Sequence, residues 1–377
     1  MLDQKPDGTR QTVGILTPTG AGSLGDQAMV DAATCALTAM GRRVVIGLDD
    51  FETRFPAARP MGTGKLPVLA GLAGMALRAR HAGLIGADVL DGVYNIHIVF
   101  KRLRVLRMLH RFGVRTRIFG SSWSETPAEP VIAFLRKARW LDLHARDPIS
   151  QARMEAALDR PVTLVADLAF LLHPEIRAPE AQAAARWIAA RRVAGATILG
   201  VNLSGLTLRD RPDHGIGAAA GLVARWLEAD AGRVVLLMPH DRRPGMVGDT
   251  EVLTGLHRAL ADRFADRMHL LPDTLDAWDL KALAGLVDLV LTGRMHLAIA
   301  AMGMGTPALC MVYQGKFEGL MAQFNVDSLT MTLDDLLTEK GCQQLHHVTG
   351  RRMELAAQLK ARLPAVLDLS RKNFEGM

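Results

Sequence analysis

A strand–helix–strand pattern across residues 288–316 constrains the fold of this chain more than any other feature. The stretch reads DLVLTGRMHLAIAAMGMGTPALCMVYQGK. Residues 288–292 form an apolar run of strand length that stops at Gly293, and small or apolar side chains then recur at helical spacing. Glycines end this helix, and residues 307–312 predict a second buried strand. Such a βαβ unit places its two strands parallel.

Basic side chains follow both strands of this unit. Arg294 and His296 begin the predicted helix, and Lys316 lies just beyond the second strand. Parallel strands end at the same edge of a sheet, and the first turn of the helix directs backbone N–H groups toward that edge. An arginine pairs with a carboxylate or phosphate through two hydrogen bonds, and a lysine adds a point charge. The pattern predicts an anion site, although each residue alone could be a solvated cation or a half-buried histidine.

The remaining apolar runs predict two series of alternating strands and helices. In the first half they span residues 12–16, 43–48, 83–91, 116–120, 141–145 and 162–166. In the second half they span residues 197–204, 234–240, 269–271, 287–292 and 308–312. We therefore predict an α/β fold of two doubly wound, Rossmann-like domains facing across a cleft. The predicted parts are residues 1–175, residues 190–345 with the anion site, and a helix within 346–377 that packs across both.

Length and charge agree with this organisation. A chain of 377 residues suits two domains, and its net charge of +6 favours anionic partners. Aromatic residues make up only 5% of the chain, which leaves little with which to stack nucleic-acid bases. We therefore expect no nucleic-acid partner.

The expected location is the cytoplasm. The three cysteines are far apart and suggest a reducing compartment, and no metal motif contains them. The first residues are polar, and no apolar run reaches the length of about 18 residues that spans a bilayer. Any membrane attachment should be peripheral, at the inner face. Its candidate is the basic stretch 100–112, which could equally be an ordinary helix with solvated Arg and Lys side chains.

A glycine-rich loop follows the first predicted strand. Its glycines at residues 20–25 match G-x-G-x-x-G, and Asp49 or Asp50 stands where an acid would bind a ribose, so a dinucleotide-binding enzyme is a competing interpretation. Asp26 follows directly at the start of the helix, where its carboxylate would repel a pyrophosphate. We therefore interpret the loop as a structural or sugar-facing turn.

Several of these motifs together resemble the polysaccharide pyruvyltransferase family. The most specific are Gly293-Arg294-Met295-His296, Gly305-Thr306-Pro307 and the Tyr-x-x-Lys of residues 313–316. The loop Gly-x-x-Gly-Asp ending at Asp26 also matches, with Ser23 where many members have Asn. Further similarity lies in Asp91-Gly92-x-Tyr94 and in Arg146-Asp147-x-x-Ser150, although Asp147 and Ser150 could instead cap a helix.

The resemblance implies a two-domain fold like that of the GT-B glycosyltransferases. It also implies transfer of an enolpyruvyl unit from phosphoenolpyruvate to a hydroxyl of a sugar or lipid-linked oligosaccharide, closure to a pyruvate ketal, and loss of phosphate. No metal or organic cofactor is expected. The candidate catalytic residues are His296, Asp26 and Asp147. The candidate substrate-binding residues are Arg294, Lys316, His240, Arg242, Arg243, Gly25, Asp91 and Tyr94.

Two alternatives from other classes stay open. A GT-B glycosyltransferase that uses a nucleotide-sugar would share the architecture and the basic edge, but it would need a base and ribose pocket in the second domain. A non-catalytic protein that binds anionic glycans would keep the basic crevice and tolerate the loss of His296.

Overall fold

The computed structural model describes residues 12–18, 22–47, 58–60, 65–208, 212–245, 248–312, 317–326, 329–336 and 338–377. These residues divide into two compact units. Unit 1 contains Asp26–Leu172 and Leu367–Met377, together with the described residues before Gly22, and unit 2 contains Gly22–Gly25 and His173–Val366.

Unit 1 is built on a parallel sheet of seven strands. They are β1 (Thr12–Leu16), β2 (Arg43–Gly47), β3 (Ala58–Pro60), β4 (Ala79–Ala87), β5 (Arg115–Ser121), β6 (Leu141–Ala145) and β7 (Thr163–Leu164). Their order is β3-β2-β1-β4-β5-β6-β7. The helices are α1 (Leu24–Ala39), α2 (Lys65–Arg78), α3 (Ile96–Arg111), α4 (Glu129–Lys137) and α5 (Pro148–Leu158).

Unit 2 is built on a parallel sheet of six strands. They are β8 (Thr197–Asn202), β9 (Arg233–Leu237), β10 (Met268–Leu270), β11 (Leu289–Thr292), β12 (Ala308–Val312) and β13 (Thr330–Thr332), in the order β10-β9-β8-β11-β12-β13. The helices are α6 (Pro179–Val193), α7 (Gly205–Leu208), α8 (Pro212–Glu228), α9 (Thr250–Phe264), α10 (Ala277–Ala284), α11 (Met295–Met302), α12 (Phe317–Phe324), α13 (Leu333–Leu336) and α14 (Glu339–Arg371).

Both sheets reverse their strand order once, and each reversal identifies an edge to search for a site. In unit 1 the chain leaves β1 toward β2 and later returns to add β4 on the other side, and β8 has the same position in unit 2 between β9 and β11. Ligands of doubly wound sheets bind beyond the carboxyl ends of the strands at such a reversal. In unit 2 this edge carries Arg294 and His296, which follow β11.

The predicted fold class is confirmed, and so is the central βαβ unit, because β11 and β12 pair in parallel with α11 between them. The two strands that sequence patterns missed, β3 and β13, have only three residues each. Some residues of the sequence argument lie outside the described residues, namely Gly20, Asp49, Asp50 and the Tyr-x-x-Lys motif of residues 313–316, which includes Lys316. Among the described helices, none is long and apolar enough to cross a membrane.

The basic stretch predicted around residues 100–112 lies within α3. Its apolar side chains at helical spacing, among them Leu103 and Leu106, are buried, while Lys101 and Arg104 are exposed. Arg102 is the exception, because it is buried and its Nε donates a hydrogen bond to the carbonyl oxygen of Thr17 at 2.7 Å. This helix therefore combines a packed face with an exposed basic face.

Candidate functional site

The carboxyl ends of β8, β9 and β11 are joined by a buried hydrogen-bond network. Asn202, the last residue of β8, donates from Nδ2 to the carbonyl oxygen of Met238 at 3.0 Å and to Oδ2 of Asp249 at 2.8 Å. Thr292, the last residue of β11, donates from Oγ1 to Oδ1 of Asn202 at 3.1 Å. Buried polar groups that are fully paired hold one geometry, so this network positions the loops that follow the three strands.

Arg294 is held in place by two carboxylates that sequence reasoning did not identify as site residues. Its Nε and Nη2 donate to Oδ1 of Asp249 at 2.9 and 2.8 Å, and its Nη1 lies 3.0 Å from Oδ2 of Asp241. The Arg294 side chain is 12% exposed, whereas both carboxylates are almost completely buried. The guanidinium expected to meet a ligand in an open crevice is thus oriented by these two ion pairs.

Two more arginines, Arg242 and Arg243, directly follow Asp241 in sequence. Arg243 donates from Nε to both oxygens of Asp241, at 2.9 and 3.1 Å, and its side chain is about one-third exposed. Arg242 is exposed, and its Nη2 donates to the carbonyl oxygen of Thr274 at 2.8 Å. Arg243 and Arg294 therefore pair with the carboxylates of Asp241 and Asp249, and Arg242 adds a third positive charge close to His240.

Burial and charge shift two pKa values at this edge. Burial, followed by the nearby charges of His296, Arg294 and Arg242, lowers the pKa of His240 to about 3, so this histidine is neutral at neutral pH. Burial raises the pKa of the Asp249 carboxyl, and the charge of Arg294 opposes that shift. His240 therefore belongs to the site as a neutral residue, while the arginines provide the positive charge.

The glycine loop of unit 2 pairs with the segment that follows β9. Arg242 N–H donates to the carbonyl oxygen of Gly22 at 2.9 Å, and Ser23 forms an antiparallel bridge with Asp241. Gly22 has a φ of +106°, and a Cβ there would lie 2.8 Å from Cγ of Arg243. Both features require glycine. The pairing supports our interpretation of the loop as a structural turn.

Gly25 makes room for His296. A Cβ at residue 25 would lie 2.2 Å from Nδ1 and 2.4 Å from Cγ of the imidazole, far inside contact distance. The missing side chain therefore lets the ring of His296 lie directly against the backbone of the loop. The two residues are 271 positions apart in sequence, and only the fold brings them together.

The other predicted site residues lie in unit 1. Asp147 accepts a hydrogen bond from Ser150 N–H and another from Ser150 Oγ, both at 2.7 Å, which is the helix cap left open as an alternative. Asp91 accepts from the backbone N–H groups of Val93 at 3.2 Å and Ser124 at 3.1 Å. Both carboxylates are buried, and their local bonds account for their position.

Asp26 and Tyr94 complete the set in unit 1. Asp26 is buried in the first turn of α1, where a carboxylate is favoured by the helix dipole. Tyr94 is 47% exposed, and the partial burial of this side chain, followed by the charges of Asp88 and Asp91, raises its pKa. The predicted residues thus form two sets. Gly25, His240, Arg242, Arg243, Arg294 and His296 lie in unit 2, and Asp26, Asp91, Tyr94 and Asp147 lie in unit 1. In the described ranges, no group of three or more His, Cys, Asp or Glu side chains could hold a metal ion.

Comparison with solved structures shows which fold this is. A putative UDP-N-acetylglucosamine 2-epimerase from Listeria monocytogenes matches with a TM-score of 0.60 at 14% identity, covering 98% of each chain. MnaA of S. aureus in complex with UDP matches at 0.59 and 10%, covering 93% of this chain and 91% of that one. WaaG, a glycosyltransferase involved in lipopolysaccharide biosynthesis, matches at 0.53 and 12%, covering 96% and 98%. At these identities the likeness shows the fold alone, that of the GT-B glycosyltransferases and related epimerases.

Sequence comparison identifies the family. No curated protein sequence matches this chain. The sequence profile described as polysaccharide pyruvyl transferase matches residues 84–315, which is more than half of the 377 residues and includes the segment that carries Arg294 and His296. The chain belongs to the polysaccharide pyruvyl transferase family.

Proposed function

We propose that this protein transfers an enolpyruvyl unit from phosphoenolpyruvate to a hydroxyl of a cell-surface polysaccharide or its lipid-linked precursor, closes a pyruvate ketal and releases phosphate. The observation that carries the proposal is the arginine cluster at the strand reversal of unit 2, in which Arg243 and Arg294 pair with Asp241 and Asp249 and Arg242 lies close to His240. Membership of the family supports the class of reaction.

The cluster suits the donor because phosphoenolpyruvate carries a phosphate and a carboxylate close together. Such a ligand needs several fixed cations in a small space. Arg294 is oriented before binding by its two ion pairs, and we assign it to the anionic groups of the donor. Arg242 and Arg243 are more exposed, and we assign them to the phosphate, together with Lys316 as expected from sequence.

The chemistry requires three proton transfers. The first acceptor hydroxyl bonds to C2 of the donor and loses its proton, and C3 gains a proton. A second hydroxyl then bonds to C2 and loses its proton as the C2–O bond to phosphate breaks and phosphate leaves with the electron pair. His296 is our candidate for these transfers because histidine titrates near neutral pH. Asp26, Asp91 and Asp147 are candidates for orienting the acceptor.

Ligand-induced stabilisation separates this function from its alternatives. Phosphoenolpyruvate, a UDP-sugar and NAD are added separately to the whole protein, and the melting temperature is followed. A ligand at about one hundred times its Kd adds about 2.7 kcal/mol of stability. We expect stabilisation by phosphoenolpyruvate. Stabilisation by the UDP-sugar alone would indicate a glycosyltransferase, and stabilisation by NAD alone would contradict our interpretation of the glycine loop.

Substitutions then separate binding from chemistry. Arg242→Ala should weaken phosphoenolpyruvate binding, whereas Arg258→Ala, an exposed arginine on α9, should not. Arg294→Lys should also weaken it, because the two-pronged geometry is lost. His296→Asn should leave donor affinity within a few-fold and reduce phosphate release by roughly 10²–10⁴. Normal release by folded His296→Asn would remove this residue from the mechanism, and no release by the wild type with any glycan acceptor would favour a binding protein.

A lipid-linked acceptor would bring the protein to a membrane surface. We propose that the exposed basic face of α3, with Lys101, Arg104 and Arg111, makes this contact electrostatically. Sedimentation with anionic vesicles should then decrease as salt rises, because exposed charges are screened within about 8–10 Å at physiological ionic strength. Sedimentation that does not change in high salt would contradict an electrostatic contact.

A further inference from the structure

A second basic region lies at the opposite edge of the unit 1 sheet, where β1, β4 and β5 begin. Two cavities of about 300 and 140 Å³ adjoin here, and His81, Gly376 and Met377 line both. Arg42 and Arg80 line the larger cavity, and Arg115 and Arg117 line the smaller one. The candidate residues Asp91 and Asp147 follow the other ends of the strands, so these cavities are separate from them.

Positive charge dominates the two cavities. Four arginines line them, against the side-chain carboxylate of Asp142 and the main-chain carboxylate of Met377. Arg117 is paired with Asp142 at 2.9 Å, and Arg42 donates from Nη2 to the main-chain oxygen of Met377 at 3.1 Å. Arg115 is exposed and makes no hydrogen bond or ion pair within the part of the chain that the structure describes. The side chains therefore leave an excess of positive charge around an open space.

Residues that line the cavities also carry buried polar groups. Nε of Arg42 and Oγ1 of Thr116 are buried without hydrogen-bond partners among the described residues. His81, on the wall between the cavities, is 6% exposed. Burial, followed by the charges of Arg115, Arg117, Arg80 and Arg42, lowers its pKa to about 4. The positive potential that disfavours a charged His81 would stabilise a bound anion.

We infer that the two cavities bind a small phosphorylated ligand with two linked anionic groups, one on each side of His81. The larger volume is at the lower end of the range for small-molecule sites. Among the described lining residues, His81 has the only aromatic ring, so the walls offer little to stack a nucleobase. Each arginine guanidinium can donate two parallel hydrogen bonds to two oxygens of one phosphate group. Inorganic pyrophosphate is therefore the simplest probe.

Calorimetric titration of the full chain with pyrophosphate tests the site. Arg80→Ala combined with Arg115→Ala should weaken binding at least tenfold, and because both side chains are exposed the melting temperature should change little. The matched control combines Arg136→Ala with Lys137→Ala, which removes the same charge from exposed positions of α4 in the same unit. This control should keep its affinity for pyrophosphate within about twofold, because salt screens the long-range effect of exposed charges that lie outside the cavities.

A further variant separates this site from the arginine cluster of unit 2. Arg242→Ala should leave the Arg80- and Arg115-dependent binding unchanged, even if pyrophosphate also occupies that cluster and raises the stoichiometry to two. The inference is overturned if the wild type shows no saturable binding, or if the double variant and its control lose the same affinity. It is also overturned if only anionic phospholipid vesicles, and not pyrophosphate, bind in an Arg80- and Arg115-dependent way.

Discussion

Replacing Gly25 by alanine tests whether the loop holds the imidazole of His296. The new Cβ would lie 2.2 Å from Nδ1, about 1.2 Å short of the 3.4 Å at which ordinary contact begins. Because the Cβ of His296 is itself only 2.6 Å from the new atom, rotating the ring alone cannot relieve the overlap. Either the loop or the start of α11 must move.

The expected energies follow from this overlap. Overpacking costs about 1–3 kcal/mol, and alanine in a helix recovers about 0.5–1 kcal/mol relative to glycine. A net loss of about 1–2 kcal/mol lowers the melting temperature by roughly 2–8 °C in a domain of this size. A displacement of about 1 Å at His296 should reduce turnover by about 10²-fold.

Calorimetry, phosphate release from phosphoenolpyruvate and the imidazole NMR signals of His296 measure these effects. Gly221→Ala is the matched control, because Gly221 lies inside α8 and nothing beyond its own helix turns comes within 4 Å of the position that a Cβ would take. That control should gain about 0.5–1 kcal/mol. The reasoning is refuted if Gly25→Ala gains stability as Gly221→Ala does and leaves the His296 signals unchanged.

Two further predictions concern the buried charges of unit 2. Asp249→Ala should lower the unfolding free energy in urea by about 3–5 kcal/mol, because it removes a buried partner of Arg294. Glu228→Ala, which breaks an exposed ion pair, should cost under about 1 kcal/mol, and equal losses would contradict the assigned geometry. The lowered pKa of His240 makes the folded state bind its proton less readily than the unfolded chain. Stability should therefore be complete above pH 6.5 and decrease toward pH 3, by about 2 kcal/mol at pH 5, and a melting temperature equal at pH 5 and 7.5 would contradict the burial of this ring.

The spacing of apolar residues along the sequence predicted the fold class well, because it reflects which side of each strand or helix is buried. Apolar runs of strand length alternating with helical spacing identified eleven of the thirteen described strands. The missed β3 and β13 are edge strands with the sequences ARP and TMT, which contain no apolar run. The N-terminal cap of α5 could also be predicted from the sequence, since Asp147 and Ser150 are three residues apart. Such features depend on residues close in sequence.

The site was predicted only in part. Parallel strands share an edge, so the sequence by itself determined that Arg294 and His296 stand together after β11, at the start of a helix. It held no signal that Asp241 and Asp249, 53 and 45 residues earlier, would neutralise Arg294, or that Gly25 would face His296. These contacts join segments that are far apart in sequence, and secondary-structure propensity does not predict which distant segments meet. The tertiary structure decided them because burying the guanidinium required nearby carboxylates, and only the folded sheet places the segments after β9 and β11 side by side.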